Sequence, residues 1–99
     1  MELSIQIDRE QIAGFCRRHH LIKLALFGSV LTDRFGPGSD VDVLFEYHPE
    51  HIPTLFDVAA MEEDLSEILG RKADMRTPQD LSRYFRDEAV RKALVQYAA

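Results

Sequence analysis

Apolar positions recur along this chain with two different periods. From Asp8 the spacing is helical: Ile12, Phe15, Cys16 and His19 share one face of a segment that runs to about His20. Asp8 reads as its N-cap, with Gln11 three residues on in a capping-box position. Leu21 to Phe27 is a nearly unbroken apolar run and reads as a core strand. Val30 to Phe35 is a short helix or turn, broken by Gly36-Pro37-Gly38. Asp40 to Phe45 is a second strand, and Tyr47 to Pro53 a loop with two prolines and two histidines. Helical spacing returns at Thr54, where Leu55, Val58, Ala59, Leu65, Ile68 and Leu69 recur and Gly70 is placed to stop the helix. Lys72 to Met75 is a short third strand. Thr77-Pro78-Gln79-Asp80 then opens a helical segment, with Thr77 as cap and Pro78 in the first turn. A last helix is predicted from about Asp87 to Tyr97, with Val90, Leu94 and Tyr97 on one side.

Strands interleaved with helices in so short a chain imply an α/β layer arrangement. Ninety-nine residues allow one domain over 1–99 with one modest core, and there is no internal repeat or linker. No apolar run approaches bilayer length, and Met1-Glu2-Leu3-Ser4 lacks the basic and apolar regions of a signal peptide, so a cytoplasmic protein is expected. The single cysteine, Cys16, excludes an internal disulfide and falls on an apolar helix face, where buried filler is its expected role.

The net charge of −5 argues against a general nucleic-acid binder, whose affinity comes mostly from cations on phosphate. The charge is unevenly spread. Residues 33–67 hold ten acids and one base, Arg34, whereas residues 71–92 hold seven bases and four acids. Two solvated helix faces would account for this. So would a basic rim beside an acidic metal site, suited to a triphosphate or an acidic partner.

The acidic half carries the candidate chemistry. Gly28-Ser29 closes the first apolar run, and Ser39-Asp40-Val41-Asp42 follows ten residues later. Side chains alternate along a strand, so Asp40 and Asp42 point the same way. Packing gives no reason for two like charges there, whereas a hard divalent cation takes carboxylate oxygens as ligands. The Gly-Ser turn can offer N–H groups and a hydroxyl to phosphate. Each part alone is ordinary; the ordered conjunction is not. Asp74, in the short third strand, completes the set if that strand lies beside the second. Three such carboxylates can hold two Mg²⁺ ions roughly 3.5–4 Å apart. The alternative for Asp74 is an edge residue paired with Lys72 or Arg76.

Gly28-Ser29 with Ser39-Asp40-Val41-Asp42 and then Asp74 resembles the signature of the polymerase-β-like nucleotidyltransferase superfamily. Length and the tail, Tyr84-Phe85-Arg86-Asp87-Glu88 with Val95-Gln96-Tyr97-Ala98, are similar to the minimal nucleotidyltransferase (MNT) branch, over roughly residues 10–98. The resemblance implies a small mixed β-sheet flanked by helices, ATP as substrate with Mg²⁺ (two ions), and transfer of a nucleoside monophosphate. It implies Asp40 and Asp42 on both metals and Asp74 as the acceptor-side carboxylate. Gly28, Ser29 and Ser39 are then the nucleotide-binding residues. Many relatives carry an arginine three residues after the motif serine; here that position is Thr32, and Arg34 either substitutes or is a solvated residue. The resemblance further implies a HEPN-domain toxin as partner, with AMP transferred to its tyrosine and this chain as antitoxin. An antitoxin that only occludes its toxin is the alternative. A small-molecule transferase is disfavoured, since such enzymes usually add a second domain for the acceptor.

Overall fold

The structure, a computed structural model, describes residues 5–99; Met1-Glu2-Leu3-Ser4, read above for a leader, lies outside them. Helix α1 (Arg9–Arg18) is capped as its sequence demands, the Asp8 carboxylate accepting from the N–H groups of Glu10 (3.0 Å) and Gln11 (3.2 Å). Strand β1 (Leu21–Phe27) pairs antiparallel with β2 (Val41–Tyr47). Helix α2 (Leu55–Leu69) returns along the sheet, and β3 (Ala73–Arg76) lies parallel to β2. Helix α3 (Arg86–Lys92) and β4 (Leu94–Ala98) complete a mixed sheet of order β3-β2-β1-β4. The expected small mixed sheet flanked by helices is therefore present, with one strand more than the hydrophobic pattern indicated.

That strand corrects the predicted last helix. The helix ends at Lys92, Ala93 turns to an extended ψ of 139°, and Leu94–Ala98 hydrogen-bonds to β1 instead of continuing to Tyr97. Val90, Leu94 and Tyr97 do fall at helical spacing, but β1 has an open edge that needs a partner, and Val95 and Tyr97 suit a pleated surface. The segment opened by Thr77 is likewise shorter than predicted, a single 3₁₀ turn over Pro78–Asp80.

Alternation along the strands divides the sheet into two faces. Leu24 and Leu26 of β1, Val41, Val43 and Phe45 of β2, and Ala73 and Met75 of β3 pack against Ile12, Phe15 and Cys16 of α1 and Met61, Leu65 and Leu69 of α2. Each large side chain fully buried there contributes about 1.5–3 kcal/mol. Cys16 is the expected filler: wholly buried, with its thiol pKa pushed up to about 12 by burial, it is inert. The opposite face is covered only by a small cluster, Ala25, Leu44 and Leu81 with Phe27, Ala89 and Ala93. Asp42 and Asp74 alternate onto that thinly covered face.

Two polar side chains of α2 fasten β3. Ser66 Oγ accepts from Ala73 N–H (2.9 Å), and Glu62 Oε2 from Met75 N–H (2.7 Å). One helical turn thus satisfies the outward N–H groups on either side of Asp74, and the sheet edge is blunted. Helix α2 itself has both its sequence-predicted ends: Thr54 at the N-cap and Gly70, at φ 70°, at the C-cap.

Candidate active site

Parallel pairing of β2 and β3 sets Asp42 directly beside Asp74 on one face, with Asp40 immediately before β2 and exposed. Burial, then the neighbouring Asp74 charge, push the Asp42 pKa up; Arg76 opposes this and Asp40 adds to it. The Asp74 carboxylate accepts from Arg76 Nη2 at 3.3 Å and Nε at 3.4 Å. Asp74 thus pairs with Arg76, as the edge reading expected, and stands next to Asp42 in register.

Phe27, the last residue of β1, is the register partner of Asp42, so the Gly-Ser turn starts beside that carboxylate. Gly28 sits at φ 76°, and a Cβ there would run into Asp42 Oδ2. Only glycine satisfies both conditions. Residues Gly28–Leu31 form a 3₁₀ turn. Thr32, the third residue after Ser29, holds its end: Thr32 N–H and Oγ1 both donate to Ser29 O at 2.9 Å, and Thr32 Oγ1 accepts from Arg34 N–H at 3.2 Å.

The segment that delivers Asp40 is held by a residue that sequence reasoning missed. Arg71 Nη2 donates to Gly36 O (2.5 Å) and Ser39 O (2.6 Å), and its guanidinium lies over the Phe35 ring at 4.4 Å. Ser39 Oγ accepts from Gly36 N–H within the same loop. Nothing in the local pattern points to this; the one signal is an arginine directly after the Gly70 helix stop. Arg86 is similarly occupied, donating to Pro78 O (2.7 Å) and Leu81 O (3.0 Å). Much of the basic second half is thus structural rather than a free cationic rim.

Two cations, Arg34 and Lys92, do face a cleft beside the Gly-Ser turn. The cleft, of about 710 Å³, lies between the Gly28–Leu31 turn and α3 and is also lined by Phe27, Ser29 and Phe85. Lys92 Nζ lies 2.7 Å from Glu88 Oε1, a bond that holds the Glu88 carboxyl below its usual range. Gly28 lines the cleft and packs against Asp42, so the cleft adjoins that carboxylate, although none of the three aspartates lines it. The structure thus brings together Gly28, Asp42 and Asp74, places Ser29 and Arg34 on the cleft, and leaves Ser39 and Asp40 in the adjoining loop.

The donors suit a hard cation in kind: oxygen ligands on one face, with the Asp42 charge raised in energy by burial and by its acidic neighbours. Among the described residues no three acidic, histidine or cysteine side chains are gathered tightly enough to hold a metal as they stand.

A mixed sheet bearing this carboxylate pair, with a Gly-Ser turn clamped against it, defines a nucleotidyltransferase. The comparisons agree. The model of the nucleotidyltransferase domain family matches residues 9–97, and the chain belongs to that family. Two proteins of Methanocaldococcus jannaschii are similar to it. “Putative protein adenylyltransferase MJ0435” is 23% identical over 93% of this chain and 97% of its own length. MJ1379, of the same description, is 24% identical over 79% and 78%. Among solved structures, a “putative minimal nucleotidyltransferase” superposes with TM-score 0.71 and 29% identity, covering 87% of this chain and 86% of its own. A toxin–antitoxin complex with AMP-PNP contains a chain with TM-score 0.73 and 16% identity, matched over 94% of this chain and 75% of its own. At that identity the second likeness is one of fold.

Proposed function

We propose that this chain transfers AMP from ATP, with Mg²⁺, to a tyrosine hydroxyl of a cognate HEPN-domain toxin, and acts in this way as its antitoxin. The observation that carries the proposal is the register that sets Asp42 beside Asp74 with Gly28 packed on Asp42. The descriptions of the relatives, protein adenylyltransferase and toxin–antitoxin, support the acceptor class.

In the transfer, the acceptor oxygen bonds to the α-phosphorus, the bond from that phosphorus to the bridging oxygen breaks, and pyrophosphate leaves. Asp40, Asp42 and Asp74 would hold the Mg²⁺, which supplies charge neutralisation for the phosphates and a lowered pKa at the acceptor hydroxyl. Asp74, at the sheet edge, takes the hydroxyl proton. Gly28 and Ser29 offer backbone N–H and hydroxyl groups to phosphate oxygens, and Ser39, with its hydroxyl in the loop before Asp40, flanks them. Arg34 and Lys92 face the same cleft and meet the triphosphate charge, which answers the missing arginine at Thr32. Catalysis of this kind is mostly positioning and charge stabilisation, so a rigid frame suffices.

Co-expression with the toxin, followed by intact mass spectrometry, tests the proposal. A gain of one or more AMP units on the toxin, lost in Asp74→Ala, is expected. A neutralised toxin that stays unmodified would identify an occluding antitoxin instead. Calorimetry should show ATP binding strengthened by Mg²⁺; equal affinity with and without chelator would remove the metal from the site.

A further inference from the structure

Three large apolar residues stand in water at the start of α2: Ile52, Leu55 and Phe56 are 70%, 88% and 89% exposed. In the first turns of the helix half-buried Val58 packs on the core, while the side bearing these residues faces solvent. Ala59 and Ala60 are exposed as well, and full burial begins only at Met61. An isolated exposed helical turn frays, because nothing offsets its nucleation. Here it is fastened instead. Thr54 N–H donates to Asp57 Oδ2 at 2.8 Å, and Asp57 N–H to Thr54 Oγ1 at 3.1 Å. The preceding loop is fixed too: the His51 ring stacks on His20 with centroids 3.7 Å apart, and His48 N–H donates to His20 O at 2.9 Å. A rigid apolar edge loses little conformational entropy on being covered.

The surroundings say what covers it. Residues 50–67 contain no lysine or arginine; of their carboxylates, Glu62 and Asp64 are bonded to Met75 N–H and to Arg18 and His19, which leaves Glu50, Asp57, Glu63 and Glu67 exposed. Glu63 and Glu67 are exposed and follow Phe56 and Ala59 along one side of α2. An isologous contact with a second copy would bring these carboxylates against themselves. An anionic lipid surface would be repelled for the same reason. A segment with apolar side chains flanked by lysine or arginine fits both parts.

We propose that the Ile52–Leu55–Phe56 edge docks the protein acceptor through an amphipathic, basic helix of that partner. The proposal rests on the AMP-transfer reading of the site. In the β1–β2 ladder, Leu21 pairs with Tyr47 at one end and Phe27 with Asp42 at the other. The edge follows Tyr47, so it lies at the opposite end of the sheet from the carboxylates. Helix α2, about 22 Å long by its 15 residues, separates the two. A partner held there leaves the cleft open for ATP and raises the effective concentration of its hydroxyl. Binding of this kind is uniform between ground and transition states, so it sets KM and not kcat.

The test uses the full chain and the co-expressed toxin. Phe56→Asp and Leu55→Ser are compared with wild type for toxin affinity, for transfer kinetics, and for Mg²⁺–ATP binding by calorimetry. Loss of toxin affinity and a rise in KM for toxin of about 30-fold or more are expected, the scale of an aromatic hot spot. The kcat and ATP binding should be unchanged, which also shows the variants folded. The Glu63→Lys/Glu67→Lys variant should weaken docking by about 3–10-fold and flatten its salt dependence. Transfer by Phe56→Asp at the wild-type KM would overturn the proposal, as would a wild-type dimer that this substitution dissolves. A toxin that docks through the edge yet never gains AMP supports the docking and refutes the transfer reading.

Discussion

Gly28 and Asp42 are one unit at the scale of single residues. The turn conformation requires φ of 76°, and the carboxylate occupies the place of a Cβ. Gly28→Ala should therefore lose about 1–3 kcal/mol of stability from the backbone alone and displace Asp42, so that activity falls further than stability does. Thermal melts beside transfer assays check this; a wild-type rate would show that the close approach is dispensable. The Asp42 pKa is raised, so ionisation at neutral pH opposes folding, and stability falls as pH rises through that value. Asp42→Asn should hold or raise the melting temperature of the metal-free protein while reducing transfer by about 100-fold or more. A lower melting temperature without metal would make Asp42 a structural residue. The sequence displayed Gly28-Ser29 and the aspartates plainly, because turn chemistry and strand alternation are local. The contact between Gly28 and Asp42 was not legible, since it depends on which strands pair.

Elements were legible where their ends carry chemistry. Thr54 and Gly70 bound α2, and Asp8 opens α1, because caps answer unsatisfied groups within a few residues. The helical spacing of Leu94–Ala98 does not show its strand, since the edge that recruits it is Leu26 and its neighbours in β1, 68 positions earlier for the pair Leu26–Leu94 (94 − 26). The charge of the second half was read as solvated faces or as a basic rim; Arg71 and Arg86 instead satisfy loop carbonyls. Arg71→Ala should loosen the segment before Asp40 and weaken stability by about 1.5–3 kcal/mol. Arg71→Lys should recover little of this, because a point charge cannot both bridge two carbonyls and stack on Phe35. Proteolysis within residues 33–40 measures the loosening, and resistance equal to wild type would count against it.

Over the whole molecule, α1 and α2 are joined by Asp64, which accepts from His19 Nε2 at 3.1 Å and Arg18 Nη2 at 3.2 Å. The His19 bond, aided by Arg18 and opposed by burial, holds the Asp64 pKa low. Its stabilisation is present above the ordinary carboxylate range and is lost as pH falls through the lowered value. Asp64→Asn should lose less stability than wild type below about pH 4, with a difference under about 1 kcal/mol for so exposed a pair. Denaturant titrations at pH 3 and 7 measure it, and parallel acid limbs would exclude the contact as the cause. The helices cover one sheet face thoroughly and α3 the other thinly, and no helix among the described residues is long and apolar enough to cross a membrane. The parallel β2–β3 pairing that sets Asp74 beside Asp42 has no local sequence signature, which is why an edge residue paired with Lys72 or Arg76 stood as the alternative reading of Asp74.

The hold of Ser66 and Glu62 on Ala73 and Met75 makes α2 a ruler. Substituting residues on the outer side of the helix leaves its count intact, but one codon inserted or deleted between Ser66 and Asp74 shifts β3 by a residue and turns Asp74 to the opposite face. The helix would still form and the sheet would still close. Descendants of this gene can thus respell the exposed positions of that stretch, such as Glu67, though not its length, its core residues, Gly70 or Arg71, and reading-frame-preserving indels there should be absent from every copy that still works.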